Sequence, residues 1–140
     1  MRVALAFDFG YKRIGTAVGQ CITKTASPLR VLAAQQGVPD WREVQKLLDM
    51  WQPQILVVGL PTDVHHQALY TTEAAQAFAQ TLQERFALPV ALVDERYSTV
   101  EARSRLFEQG GYQKIQKSSV DCLAACIILE QWFLESESPE

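Results

Sequence analysis

After its first residue, the segment Gln54-Ile55-Leu56-Val57-Val58-Gly59-Leu60 is apolar at every position, with no alternation. A strand with one wet face alternates polar and apolar residues, whereas a strand buried on both faces does not. Val90-Ala91-Leu92-Val93 reads the same way, and Val3-Ala4-Leu5-Ala6-Phe7 is also apolar throughout. A sheet built from such strands needs helices on both faces. The sequence between them supplies helical patterns. Asp40 and Glu43 make a capping-box-like start. Trp41, Val44, Leu47, Leu48 and Trp51 then recur at helical spacing until Pro53. A polar loop over 62–70 leads to a second stripe, Ala75, Phe78, Leu82 and Phe86. Ser98 and Glu101 open a third helix that stops at Gly110-Gly111. A basic, polar link over 112–117 precedes a last helix over about 119–134, and the acidic tail, 135–140, reads as frayed.

Upstream, residues 3–9, 15–19 and 27–33 read as strands with connections short enough for hairpins. The later strands return through helices, so they run parallel to the first strand with right-handed crossovers. The predicted fold is α/β: a five-stranded mixed sheet, three antiparallel strands then two parallel, with helices on both faces. Residues 1–140 are few enough for one domain with one core.

Composition narrows the function classes. No apolar run reaches membrane-spanning length, and the chain starts directly on a strand pattern without a secretory or transit segment. Three cysteines, Cys21, Cys122 and Cys126, fit reduced thiols and a cytoplasmic setting. Cys122 and Cys126 lie four apart on a predicted helix and read as core. With His65 and His66 they lack the short paired spacings of a zinc site. A net charge of −3 excludes a broadly basic surface and leaves nucleic acid to a local basic patch.

The chemistry concentrates where strands end. Asp8 ends the first strand, and Asp94-Glu95 end the last. A carboxylate in an apolar strand needs a partner, whether a base, a backbone donor or a metal ion. Parallel neighbours bring these ends to one edge of the sheet, where open α/β sheets place ligands. Asp121 opens the stripe Ala124, Ala125, Ile128 and Trp132 on the last helix. Alone, it reads as an acid complementing the helix dipole, with Ser118 as a cap. Together with the strand-end acids, it reads as part of a carboxylate cluster. Such a cluster repels itself unless a hard cation neutralises it, and magnesium or manganese takes oxygen ligands. Basic residues accompany the acids: Lys12 and Arg13 after Asp8, Arg96 after Glu95, and Lys117 before Asp121. Arg96 and Lys117 are candidate phosphate contacts. Lys12 and Arg13 either join them or close the hairpin. Ser98 has no histidine near it in sequence and is explained as a helix cap. His65 and His66 fall in the polar loop.

Asp8-Phe9-Gly10-Tyr11-Lys12-Arg13-Ile14-Gly15, Val58-Gly59-Leu60-Pro61, Asp94-Glu95-Arg96-Tyr97-Ser98-Thr99 and Val120-Asp121-Cys122-Leu123-Ala124-Ala125 resemble the signature series of the YqgF/RuvX family. These are the pre-16S ribosomal RNA nucleases, also called Holliday-junction-resolvase-like proteins. The resemblance runs along nearly the whole chain, in order. It implies a ribonuclease H-like fold, a bacterial cytoplasmic setting and metal-dependent cleavage at the 5′ end of an rRNA precursor. It also implies that Asp8, Glu95 and Asp121 are the catalytic, metal-binding acids for Mg²⁺ or Mn²⁺. The resemblance, not alternation, selects Glu95 over Asp94. After Pro61 the chain departs from the family pattern, reading Thr62-Asp63-Val64-His65-His66-Gln67 where members carry an Asn and an Asp-Gly turn.

Two other readings compete. Asp8-Phe9-Gly10 with Gly15 also resembles the phosphate-binding hairpin of actin-like and sugar-kinase-like nucleotide-binding modules, although those enclose a nucleotide between two such domains. A non-catalytic RNA-binding assembly factor on the same fold is the third reading. The sequence leaves the choice between monomer and homodimer open.

Overall fold

The structure, a computed structural model, describes residues 3–60, 70–94 and 117–135, the side chains of 70–71 and 117–121 excepted. The predicted helix from Ser98 to Gly110, the loop at 61–69, the link at 112–116 and the tail beyond 135 lie outside the described residues. The elements are β1 (Val3–Asp8), β2 (Arg13–Gln20), β3 (Thr25–Gln35), β4 (Val38–Pro39), α1 (Trp41–Trp51), β5 (Ile55–Leu60), α2 (Tyr70–Phe86), β6 (Val90–Asp94) and α3 (Lys117–Glu135).

One sheet has the order β4-β3-β2-β1-β5-β6. β1 pairs antiparallel with β2 and parallel with β5, and β5 pairs parallel with β6. The mixed sheet is as predicted, but it has six strands rather than five. The extra strand is β4, two residues that pair back onto the end of β3 through Ala34↔Pro39 and Gln35↔Val38. Gln36 and Gly37 turn this hairpin with φ of 51° and 83°, the left-handed pair that a two-residue hairpin requires. The sequence has Gln-Gly there in place of the strong Asn-Gly signal, so the predicted third strand stopped at Ala33.

The pleat sorts the core into two layers. Leu5, Phe7, Ile14, Leu32, Leu56 and Val58 pack against Val44, Leu47 and Leu48 of α1 and Ala75, Phe78 and Leu82 of α2. Ala4, Ala6, Ala17, Val57 and Val93 pack against Leu123 to Leu129 of α3. Helices therefore cover both faces of β1 and β5, as their unalternated sequences require, whereas β6, which reads the same way, is an edge strand with Leu92 46% exposed. Cys122 and Cys126 are buried in α3 and form no disulfide among the described residues. Phe133 is core, Trp132 half-buried, and Trp51 38% exposed.

Local chemistry sets the helix ends. Asp40 caps α1 by accepting from the Arg42 backbone N–H at 3.0 Å. The Arg42 side chain also donates to it, and these bonds hold the Asp40 carboxyl below its ordinary value of 3.8. Glu43 pairs with Arg30 and Lys46 on the surface, at 3.5 and 3.4 Å. At the other end Gln52 takes a left-handed conformation and donates to the Leu48 carbonyl, just before Pro53. α3 begins two residues earlier than predicted, so Ser118 lies inside the helix and not at its cap.

Candidate functional site

Asp8 is the last residue of β1 and is half-buried. Ala4 and Ala6 face α3, and alternation puts Asp8 on that same face. Its cross-strand partners are Gly15 on β2 and Gly59 on β5. The residues directly opposite Asp8 on both neighbouring strands therefore carry no side chain. The sequence contains both glycines within its motifs, but only the register shows that they flank Asp8.

β1, β5 and β6 end on one rim. Asp8 pairs with Gly59, and Leu60 pairs with Asp94. Alternation separates the two acids. Val93 is buried against α3, while Val90 and Leu60 belong to the opposite layer, so Asp94 lies on the α1/α2 face and Asp8 on the α3 face. Glu95 and Arg96 lie outside the described residues.

α3 packs on the Asp8 face of the sheet. A Cβ on Gly19 would stand 2.9 Å from Leu129 and 3.1 Å from Phe133, and Gly19 pairs with Ala4 at the start of β1. From Leu129 back to Asp121 the helix climbs about 12 Å at 1.5 Å per residue. From Ala4 to Asp8 the strand covers about 13 Å. The two spans are similar in length, and the start of α3, which carries Lys117 and then Asp121, belongs to the helix that packs on the Asp8 face of the sheet. The side chains of its first turn are outside the description.

The turn after Asp8 carries the basic pair. Lys12 is exposed, and Arg13 is half-buried at the start of β2, paired with Ala33. A Cβ on Gly10 would lie within 2.4 Å of the Arg13 carbonyl, so only glycine fits this tight turn. The structure therefore places Asp8, Lys12 and Arg13 together at one end of the sheet, and sets Asp94 on the other face.

A hard divalent metal suits the donor chemistry of Asp8, an oxygen ligand at a strand end with glycine directly opposite it on either neighbouring strand. Among the described residues no group of three His, Cys, Asp or Glu side chains could hold a metal. A three-acid set needs Glu95 and the Asp121 side chain, which are outside them.

Comparison with known proteins agrees with the fold and the motifs. The family model for RuvX, described as Holliday junction resolvase, matches residues 2–135. A relative in Legionella pneumophila (strain Philadelphia 1), named "Putative pre-16S rRNA nuclease", is 61% identical over 135 residues, spanning 96% of this chain and 97% of its own. A relative of the same name in Vibrio vulnificus is 59% identical over 133 residues, 94% of this chain and 95% of its own. Among solved structures, RuvC of T. thermophilus in complex with a Holliday junction substrate superposes with a TM-score of 0.56 at 16% identity. It covers 96% of this chain and 95% of RuvC. The fowlpox virus resolvase, solved with Holliday junction DNA, gives a TM-score of 0.55 at 11% identity, covering 96% and 97%. At such low identity these two structures establish the fold, which is the ribonuclease H-like α/β fold of RuvC-type resolvases. With a family model spanning the two described strand-end motifs and the last helix, and relatives this similar over their full length, the chain belongs to the RuvX family.

Proposed function

We propose that residues 1–140 form a single nuclease domain that hydrolyses phosphodiester bonds in a metal-dependent way, acting on the 5′ end of a 16S rRNA precursor in the bacterial cytoplasm. The observation that carries this reading is the position of Asp8. It ends the central strand between Gly15 and Gly59, on the face of the sheet that α3 covers. The names of the relatives support the substrate class, and the junction-bound resolvases share the architecture. No helix among the described residues is long and apolar enough to cross a membrane.

In this reading Asp8, Glu95 and Asp121 hold Mg²⁺ or Mn²⁺. Asp94 lies on the face opposite Asp8, which counts against it as the partner acid on grounds independent of family resemblance. A bound metal supplies an activated water and stabilises the leaving oxygen of a phosphodiester. The chain's own residues do the rest. Lys12 and Arg13, one turn from Asp8, offset phosphate charge, and Arg96 and Lys117 extend that basic surface. Gly10 keeps the turn narrow, so the two bases stay close to the carboxylate.

A cleavage assay tests the reading. A 5′-extended 16S precursor is incubated with the protein and Mg²⁺ or Mn²⁺, with EDTA, and with the Asp8→Asn variant. Cleavage is expected with metal only, and only with Asp8 intact. Metal-independent cleavage, or an active Asp8→Asn, would overturn it.

A further inference from the structure

The β3–β4 hairpin contributes no acid or base to the rim, yet it grips the segment that does. The Gly37 N–H donates to the Tyr11 carbonyl at 2.9 Å, and the Ala34 N–H donates to the Lys12 carbonyl at 2.9 Å. Phe9, the residue after Asp8, lies directly beneath the tip. A Cβ on Gly37 would stand 2.7 Å from Phe9 Cζ and 3.2 Å from its Cε1. The ring has little room to retreat. It is 7% exposed, with Phe78 at 5.4 Å and Tyr11 at 5.8 Å between centroids. Gly37 is thus constrained twice, by its φ of 83° and by the ring against it.

We infer that Gly37 is a positioning residue: through Phe9 and the two backbone bonds to the 10–13 turn, it fixes the end of β1 and so the place of the Asp8 carboxylate and its basic neighbours. This rests on the reading of Asp8 as a metal-holding acid. Anything that pushes the Phe9 ring moves the backbone next to Asp8, because the ring is packed on its other sides. Metal coordination is sensitive to such movement, since ligand distances of about 2.1 Å leave little slack.

The test uses Gly37→Asn in the full chain. Asparagine tolerates positive φ, so the hairpin can still form, but its Cβ meets Phe9. Manganese affinity is read by titration calorimetry, precursor cleavage by kcat and KM, and stability by thermal melting. The variant is expected to fold, to bind Mn²⁺ roughly tenfold or more weakly, and to lose more in kcat than in KM, given that a 1 Å misplacement can cost about a hundredfold. Adding Phe9→Leu removes the ring atoms in conflict. The double variant is expected to regain Mn²⁺ affinity while melting no higher than Gly37→Asn. A purely structural hairpin would make affinity and melting temperature fall together. Unchanged Mn²⁺ affinity in folded Gly37→Asn, or a further loss in the double variant, overturns the inference. Failure of the unmutated protein to bind Mn²⁺ overturns the metal reading itself, and the positioning role falls with it.

Discussion

Thr16 is fully buried in the middle of β2, beside Phe7 and one residue from the Asp8–Gly15 pair. It sits where the β2–β3 register shifts: between Gly15↔Val31 and Ala17↔Pro28, Thr16 alone faces both Leu29 and Arg30. Such a bulge breaks the ladder and leaves backbone groups to be satisfied otherwise. The Thr16 hydroxyl does this twice. It accepts from the Arg30 N–H at 3.1 Å and donates to the Arg30 carbonyl. Thr16→Val keeps the shape and removes both bonds. Leaving a buried donor and acceptor unpaired costs about 1–3 kcal/mol. The extra apolar group recovers roughly 0.8 kcal/mol. A net loss of about 0.2–2.2 kcal/mol lowers the melting temperature by roughly 1–9 °C in a chain of this size. Thr16→Ser keeps the hydroxyl but loses a buried methyl, which also costs about 1 kcal/mol. Melting alone would not separate the two variants. Amide hydrogen exchange at Arg30 does. In Thr16→Val the Arg30 N–H loses its acceptor, and its exchange should accelerate roughly tenfold, the equivalent of about 1.4 kcal/mol. In Thr16→Ser that amide should keep its protection. Wild-type exchange at Arg30 in Thr16→Val, or faster exchange in the serine variant than in the valine one, would refute this account of the bulge.

Other perturbations probe the rim and the helices. Asp8→Asn should abolish cleavage yet leave metal-free stability equal or higher, because in the proposed site it removes repulsion from Glu95 and Asp121; a variant that unfolds would make Asp8 a structural hydrogen-bonding residue. Asp40→Asn keeps a capping oxygen but does not titrate. Because the folded Asp40 pKa lies below its ordinary 3.8, the stability that Asp40 adds over asparagine should be fully present above that value and disappear as pH falls through the lower folded value. Denaturant midpoints measured near neutrality and in acid check the sign, and a difference that grows in acid would contradict it. Ala125→Leu, at a position with no exposure against the sheet, should cost about 1–3 kcal/mol by overpacking and reduce cleavage as α3 is pushed outward. Full activity in a destabilised Ala125→Leu would argue against α3 as part of the site.

Much of this arrangement was legible because burial leaves a pattern. The run at 54–60 lacks alternation, and β5 is indeed covered on both sides. Asp40 and Pro53 bracket α1 as their chemistry demands. What escaped was set by pairing, not by local composition. β4 is only two residues long and exists because Gln36 and Gly37 fold it onto β3. The bulge at Thr16 depends on a register shift that no run of residue types encodes. At the candidate site, the sequence marked Asp8 and the Asp94-Glu95 pair as strand ends, but it could not separate the two faces of β6. That took the burial of Val93 against α3, which assigns Asp94 to the other layer. The glycines flanking Asp8 were likewise visible as letters and invisible as neighbours.

The two layers of the core differ in a way that bears on where a site can form. The α1/α2 layer is built from large side chains, Leu5, Phe7, Ile14, Leu56 and Phe78, and carries a run of ring contacts from Phe7 and Phe9 through Phe78 to Trp41, with Arg85 over the Trp41 ring at 4.7 Å. The α3 layer is built at its centre from small ones, Ala4, Ala6 and Ala17 on the strands and Ala124 and Ala125 on the helix. Small residues let a helix backbone approach a sheet closely, and large ones hold it away. Acids on different elements can share one hard cation only if their backbones come within side-chain reach, and Asp and Glu are short. Asp8 projects to the thin side of the sheet. The thick side serves a different purpose: its packed rings surround Phe9, so the end of β1 is held from behind. On this argument, the aromatic layer and the alanine layer are two halves of one requirement, rigidity behind the carboxylate and close approach in front of it.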